Sequence, residues 1–342
     1  MKIGIKLQII ETLAGIILTF SLANSVFSQS IDIGSPQLNK IEIIKPALYP
    51  ESLKYNSNTD KFILGSFRDG GIYEVDEQGN YQRLINDKRL SSVLGVWVDS
   101  ERNRLLVVSG DLGSSINTYP GGARKLAVLG IYKLNTGAPI HFVDLSKFRP
   151  DDNHLPNGIT IDSTGNAYVT DSFSPVIYKI NLMGEASVFL EREEFKGQGI
   201  NLNGITFHPD GYLIVAHKSA GTLFKIPLNQ PEQITKIKIN QKLFGSDGVT
   251  LLNNQNILIV ANRASGVNND KAFVLKSNDN WKTANIMDEY EFANVYPTTS
   301  VVKNGKIYVL HSSLNLLVKA PPVEKRKMNK KAIIQQIGTI QP

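Results

Sequence analysis

The sequence predicts an all-β chain: a six-bladed β-propeller with four-stranded antiparallel blades around a central, metal-containing channel. Three observations predict it. A short strand–turn–strand unit recurs, further strands follow it in most copies, and no long helical periodicity interrupts the series. The clearest copies carry the phrases Leu155-Pro156-Asn157-Gly158-Ile159-Thr160, Leu202-Asn203-Gly204-Ile205-Thr206 and Gly245-Ser246-Asp247-Gly248-Val249-Thr250. Their Asn157, Asn203 and Asp247 are spaced by 46 and then 44 residues.

Taken along the chain, the first unit runs from Glu51-Ser52-Leu53-Lys54-Tyr55 into Phe62-Ile63-Leu64-Gly65-Ser66, and the second from Leu94-Gly95-Val96-Trp97-Val98-Asp99 into residues 104–109. The third, fourth and fifth span residues 158–170, 204–216 and 248–261, each alternating apolar and polar residues on both sides of a polar turn. The sixth leads from Thr298-Thr299-Ser300-Val301-Val302 through Asn304-Gly305 into residues 306–310. Third strands follow at residues 71–75, 175–180 and 222–226, and a fourth at residues 186–190. A unit of about 45 residues and four strands is a propeller blade, and a closed ring of them leaves no long exposed edge. A β-sandwich would not need the same turn chemistry at the same phase six times. The second unit carries a polar insertion at residues 110–125, with Gly113-Ser114-Ser115 and Pro120-Gly121-Gly122, either a lid or a surface excursion. Residues 41–44 and 332–334 are the strands available to close the ring.

Lys2 and Lys6, the apolar run from Leu13 to Leu22 and the small residues before Ser28 are expected to form a secretory signal peptide, residues 1–28. The apolar run is shorter than the ~20 residues needed to span a bilayer. Residues 29–342 are then one propeller domain, exported to the periplasm or the extracellular space, with no stable membrane insertion. Cysteine is absent, so disulfides and zinc–thiolate sites are excluded. The formal charge is +6, but Lys325, Arg326, Lys327, Lys330 and Lys331 gather in a basic stretch near residues 322–331. Such a cluster reads as a solvated tail, not a nucleic-acid surface.

In a propeller the first strand of each blade lines the channel, so residues at one phase of that strand converge. That phase holds Glu51, Leu94, Asn157, Asn203, Asp247 and a threonine, Thr298 or Thr299. Asn-Gly is first a hairpin-turn signal, but each unit has its own turn further on, at residues 163–165, 209–211 and 253–255. Glu51, Asn157, Asn203 and Asp247 therefore become candidate metal ligands. Two carboxylates and two amide oxygens suit a hard divalent ion, calcium before magnesium, which holds its water shell more firmly. Zinc and copper would call for His or Cys at these positions.

The Pro50-Glu51-Ser52 opening, the Pro156-Asn157-Gly158 and Leu202-Asn203-Gly204 phrases and Ser246-Asp247-Gly248 together resemble the senescence marker protein/gluconolactonase family, relatives of the calcium-dependent diisopropyl fluorophosphatases and paraoxonases. The resemblance covers about residues 49–317. It implies a six-bladed propeller with a divalent ion, usually calcium, in its tunnel, held by residues matching Glu51, Asn157, Asn203 and Asp247. It also implies that Asp247 is the catalytic base or nucleophile. Leu94 departs from the family, many of whose members place a polar substrate contact there. Such a site hydrolyses a lactone or related ester, the ion polarising the carbonyl.

The loops after the second strands are expected to form the pocket mouth through Arg68, Asp111, Asp171, His217, Arg263 and His311, favouring a polar or anionic small-molecule substrate. His154 is expected at the surface and Trp97 in the core. The alternative function is a non-catalytic propeller that binds a ligand or partner around a structural ion. A lyase or condensing enzyme on the same scaffold is the third possibility, because fold does not fix reaction.

Overall fold

The computed structural model describes residues 30–34, 39–267, 269–293, 295–321 and 331–341. The expected signal segment and most of the basic stretch lie outside them. Five blades follow the chain in order, each an antiparallel meander from channel to rim. Blade one runs Pro50–Asn56, Lys61–Ser66, Ile72–Val75 and Tyr81–Ile85. The inner strands of blades two to five are Ser92–Asp99, Pro156–Ile161, Leu202–His208 and Ser246–Asn253. Blade six joins Pro297–Lys303, Lys306–His311 and Ala332–Ile340 to an outer edge supplied from the other end of the chain. Ile31–Ile33 and Lys40–Ile43 both pair with Ala332–Ile340, with Ile41 opposite Ile334 and Ile43 opposite Ala332. This is the closure expected from residues 41–44.

The core divides as the period-2 pattern dictates. Ile257, Ile259 and Ala261 point into the apolar cluster between blades four and five, whereas Leu258 and Val260 point into the cluster between five and six. The second strands are buried on both faces, which is why they read as nearly continuous apolar runs. One such cluster fills each of the six blade interfaces. Each buried Leu or Ile there contributes roughly 1.5–3 kcal/mol. A seventh cluster lies on the axis and contains Tyr49, Phe67, Leu94, Leu155, Leu314 and Leu317. Leu314 and Leu317 come from the six-residue helix Leu314–Lys319, which the sequence reading did not find.

The inner strands share one irregularity. All six carry a β-bulge, between Pro50 and Ser52, Val93 and Gly95, Pro156 and Ile159, Leu202 and Ile205, Ser246 and Val249, and Pro297 and Ser300. A bulge breaks the ladder and re-aims the side chain it contains. Here those side chains are Glu51, Leu94, Asn157, Asn203, Asp247 and the Thr298–Thr299 pair.

The glycines that follow the ring residues are explained by close approach to the next inner strand. A Cβ on Gly158 would lie 2.4 Å from the carbonyl oxygen of Asn203, and one on Gly204 would lie 2.1 Å from that of Asp247. The Asn-Gly and Asp-Gly phrases are thus strand bulges that abut one another around the channel.

Candidate functional site

Glu51, Asn157, Asn203 and Asp247 meet at the channel, lining a narrow space of about 50 Å³ together with Leu94, Thr298 and Thr299. The same four residues floor a larger cavity of about 280 Å³. Its walls are mainly apolar: Phe67, Leu94, Leu112, Leu155, Ile200 and Tyr296, with Leu314 and Val318 from the short helix. Leu94 therefore supplies wall instead of a polar contact.

The oxygens of the floor are unevenly satisfied. Glu51 Oε2 and Thr298 Oγ1 are buried with no hydrogen-bond partner among the described residues. Burial, and then the charge of Asp247, push the Glu51 carboxyl well above the usual carboxylate range, while Lys218 opposes them. Asn157 donates its Nδ2 to Ser172 Oγ at 3.1 Å, which leaves its Oδ1 for the channel. Asp247 Oδ2 accepts from Lys218 Nζ at 2.6 Å and from Asn262 Nδ2. Asn262 is fixed in turn, donating to the carbonyl of Pro297 at 2.9 Å and accepting from Ala264 N–H at 3.2 Å. An orphaned carboxylate oxygen beside amide and hydroxyl oxygens is a donor set that fits a hard cation.

Of the six residues expected at the pocket mouth, Arg263 lines the cavity, paired with Asp270 at 2.7 Å. The other five lie outside its lining. Arg68 donates to the Ser114 carbonyl and anchors the insertion. Asp111 folds that insertion, accepting from Ser91 Oγ at 2.9 Å, Gly113 N–H at 2.6 Å and Thr118 Oγ1 at 2.8 Å. Asp171 accepts the N–H groups of Leu155, Phe173 and Ser174. His217 faces a neighbouring groove, where Ala220 N–H donates to its Nδ1 at 3.3 Å and burial lowers its pKa. His311 sits against Phe292 and Gln335 between blades, its pKa lowered to about 4 chiefly by burial.

For Asp171, His217 and His311 the reason is phase. Asp171, His217 and Ala261 are the partners of Pro156, Leu202 and Ser246 across the ladder, and in a strand a shift of one residue changes the face. The side chains that reach the ring follow one position later: Ser172, Lys218 and Asn262. Phe67, one past the second strand of blade one, takes the equivalent place in the cavity wall. Lys218 and Asn262 were missed by sequence reasoning, although counting one residue further along the repeat finds both.

His154 is corrected. It is 1% exposed, with Nδ1 2.8 Å from Asp171 Oδ2 and Nε2 2.9 Å from the Arg149 carbonyl. Burial presses its pKa down, but the Asp171 contact outweighs it and the net shift is upward. Trp97 is half-buried at the opposite mouth of the channel, with Lys54 Nζ 4.6 Å from its ring centroid. In the insertion, Leu112 reaches the cavity while Asn117 ties the loop to the carbonyls of Asp69 and Leu90.

The fold defines a class, six-bladed β-propellers with antiparallel blades. Solved structures with this architecture include the major Malassezia sympodialis allergen Mala s 1, 17% identical with a TM-score of 0.68 over 87% of this chain and 96% of that one. A calcium-binding protein, regucalcin, from Agrobacterium tumefaciens is 12% identical with a TM-score of 0.60 over 88% and 95%. The luciferin-regenerating enzyme is 12% identical with a TM-score of 0.61 over 89% and 97%. These are likenesses of fold, and the fold is the one the family resemblance implied. No protein-family model and no curated protein matches the chain.

Proposed function

We propose that the chain is a hydrolase of lactones or related esters that carry an apolar substituent, working with one divalent ion, calcium by preference. The observation that carries the proposal is the buried, unpartnered Glu51 Oε2 on the floor of an apolar cavity of about 280 Å³. Propellers of the gluconolactonase kind and a calcium-binding regucalcin share the fold, which supports the choice of reaction and ion.

Glu51, Asn157, Asn203 and Asp247 would hold the ion. When bound, it supplies Lewis acidity to a carbonyl oxygen and stabilises the negative charge that develops there. Phe67, Leu94, Leu112, Leu155 and Ile200 bind the apolar part of the substrate and keep bulk water from the floor. Asn262 fixes Asp247 through Oδ2, leaving Oδ1 without a hydrogen bond among the described residues. In this reading that oxygen takes the proton of an attacking water. Tyr296 lines the same cavity, and burial beside Asp247 and Glu51 raises its pKa, so its hydroxyl stays protonated as a donor to the substrate.

The test is turnover on a panel of lactones and esters with graded alkyl chains. Asp247→Asn is expected to lower turnover on the best substrate by about a hundredfold or more. Full turnover in that variant would sink the assigned role. A second reading, a binding propeller with a structural ion, draws on the two donors already held by Asp247 Oδ2. It predicts that chelation lowers the melting temperature while no substrate in the panel is turned over.

A further inference from the structure

Lys218 is a buried cation at the point where the proposed centre needs positive charge. Its side chain is 3% exposed, and its Nζ lies 2.6 Å from Asp247 Oδ2. Its backbone is held on both sides: its N–H donates to the Asn201 carbonyl at 2.8 Å, and its carbonyl accepts from Gly245 N–H at 3.1 Å. Any movement is therefore confined to the side chain. Room exists for it, because Lys218 lines both the central cavity and the adjoining groove formed by residues 196–200, His217, Ser219 and Ala220.

Charge decides what the side chain does. A bound divalent ion would keep both Glu51 and Asp247 ionised, so the floor would then hold two negative charges beside the Lys218 ammonium. Together with the ion this would leave one net positive charge in a buried site. Without the ammonium, two carboxylates and the ion cancel. An uncompensated buried charge is costly, so ion and ammonium oppose each other. They also meet at one carboxylate, whose Oδ2 already accepts from Asn262.

We propose that Lys218 is a resident counter-cation that competes with the divalent ion for Asp247 and swings into the groove of residues 196–200 when the ion enters. The proposal rests on the divalent-ion reading of the centre. Its consequence is that one side chain keeps ion binding weak and exchangeable.

The test is calorimetric titration of chelator-stripped full-length protein with calcium chloride, comparing wild type with Lys218→Met and Lys218→Gln. Methionine preserves the apolar stem and glutamine preserves polarity. Both variants are expected to bind calcium at least about tenfold more tightly and to show a larger calcium-dependent rise in Tm. Equal affinity in all three proteins would overturn the proposal while leaving the ion centre standing, as would weaker binding in the variants. Absence of calcium binding in all three would overturn both. A measurement on wild type alone guards against misfolded variants: saturating calcium is expected to increase acylation of Lys218 by a water-soluble amine reagent, read by peptide mass spectrometry. Unchanged protection would overturn the proposal.

Discussion

Asp247 has one oxygen held by Asn262 and Lys218 and one that makes no hydrogen bond among the described residues, a division that suits a group meant to act on a ligand. Its place in the ring, like those of Glu51, Asn157 and Asn203, was legible from the repeat alone, because bulged inner strands present the same phase to the axis six times. The second set of side chains was not, since a one-residue offset at a strand end can separate a residue buried between blades from one that reaches the floor. His311 is of the first kind. It is buried between blades as a neutral ring, with a pKa lowered from 6.5 to about 4 chiefly by burial. A histidine depressed on folding adds stability above its unfolded pKa and loses it as pH falls through the folded one. The stability His311 contributes is therefore full above about pH 6.5 and shrinks towards pH 4, by on the order of 2–3 kcal/mol. Melting curves of wild type and His311→Gln across this interval should converge as pH falls. Curves that stay parallel would show that His311 carries no such linkage.

At the scale of the strand, the glycines after Leu94, Asn157, Asn203 and Asp247 let neighbouring inner strands approach closely. Gly204 stands where a Cβ would meet the Asp247 carbonyl at 2.1 Å and Val249 N at 2.7 Å. Both contacts are to backbone and cannot be relieved by a side-chain rotation. Gly204→Ala is expected to cost about 1–3 kcal/mol, as overfilling of a close-packed site does, and to disturb the carboxylate beside it. Urea unfolding checks this: a midpoint equal to wild type would mean that blades four and five are free to separate. The sequence showed that Asn-Gly and Asp-Gly recur outside the turns, but not why glycine is needed. That depends on the distance between adjacent inner strands, which is a property of the closed ring.

At the scale of the molecule, the period-2 burial pattern and the six units were legible, because each depends on local alternation or on a repeat, whereas the ring closure was offered by residues 41–44 and 332–334 but not fixed. The pocket was legible only in part. Its floor comes from the repeat, whereas its walls come from what departs from the repeat: Leu112 in the insertion, Ile200 before an inner strand, and the helix Leu314–Lys319. Such departures have no phase from which to infer their direction. They give the cavity an apolar wall over a polar floor, and so the proposed substrate both an apolar substituent and a carbonyl. The central claim is that this floor is an ion-dependent reaction centre. It is tested most directly by following turnover of the best lactone or ester before chelation, after chelation, and after calcium is returned. Activity is expected to be lost and then restored in wild type, with no restoration in Glu51→Gln at the same calcium concentration. Turnover that survives complete removal of divalent ions would contradict the central claim.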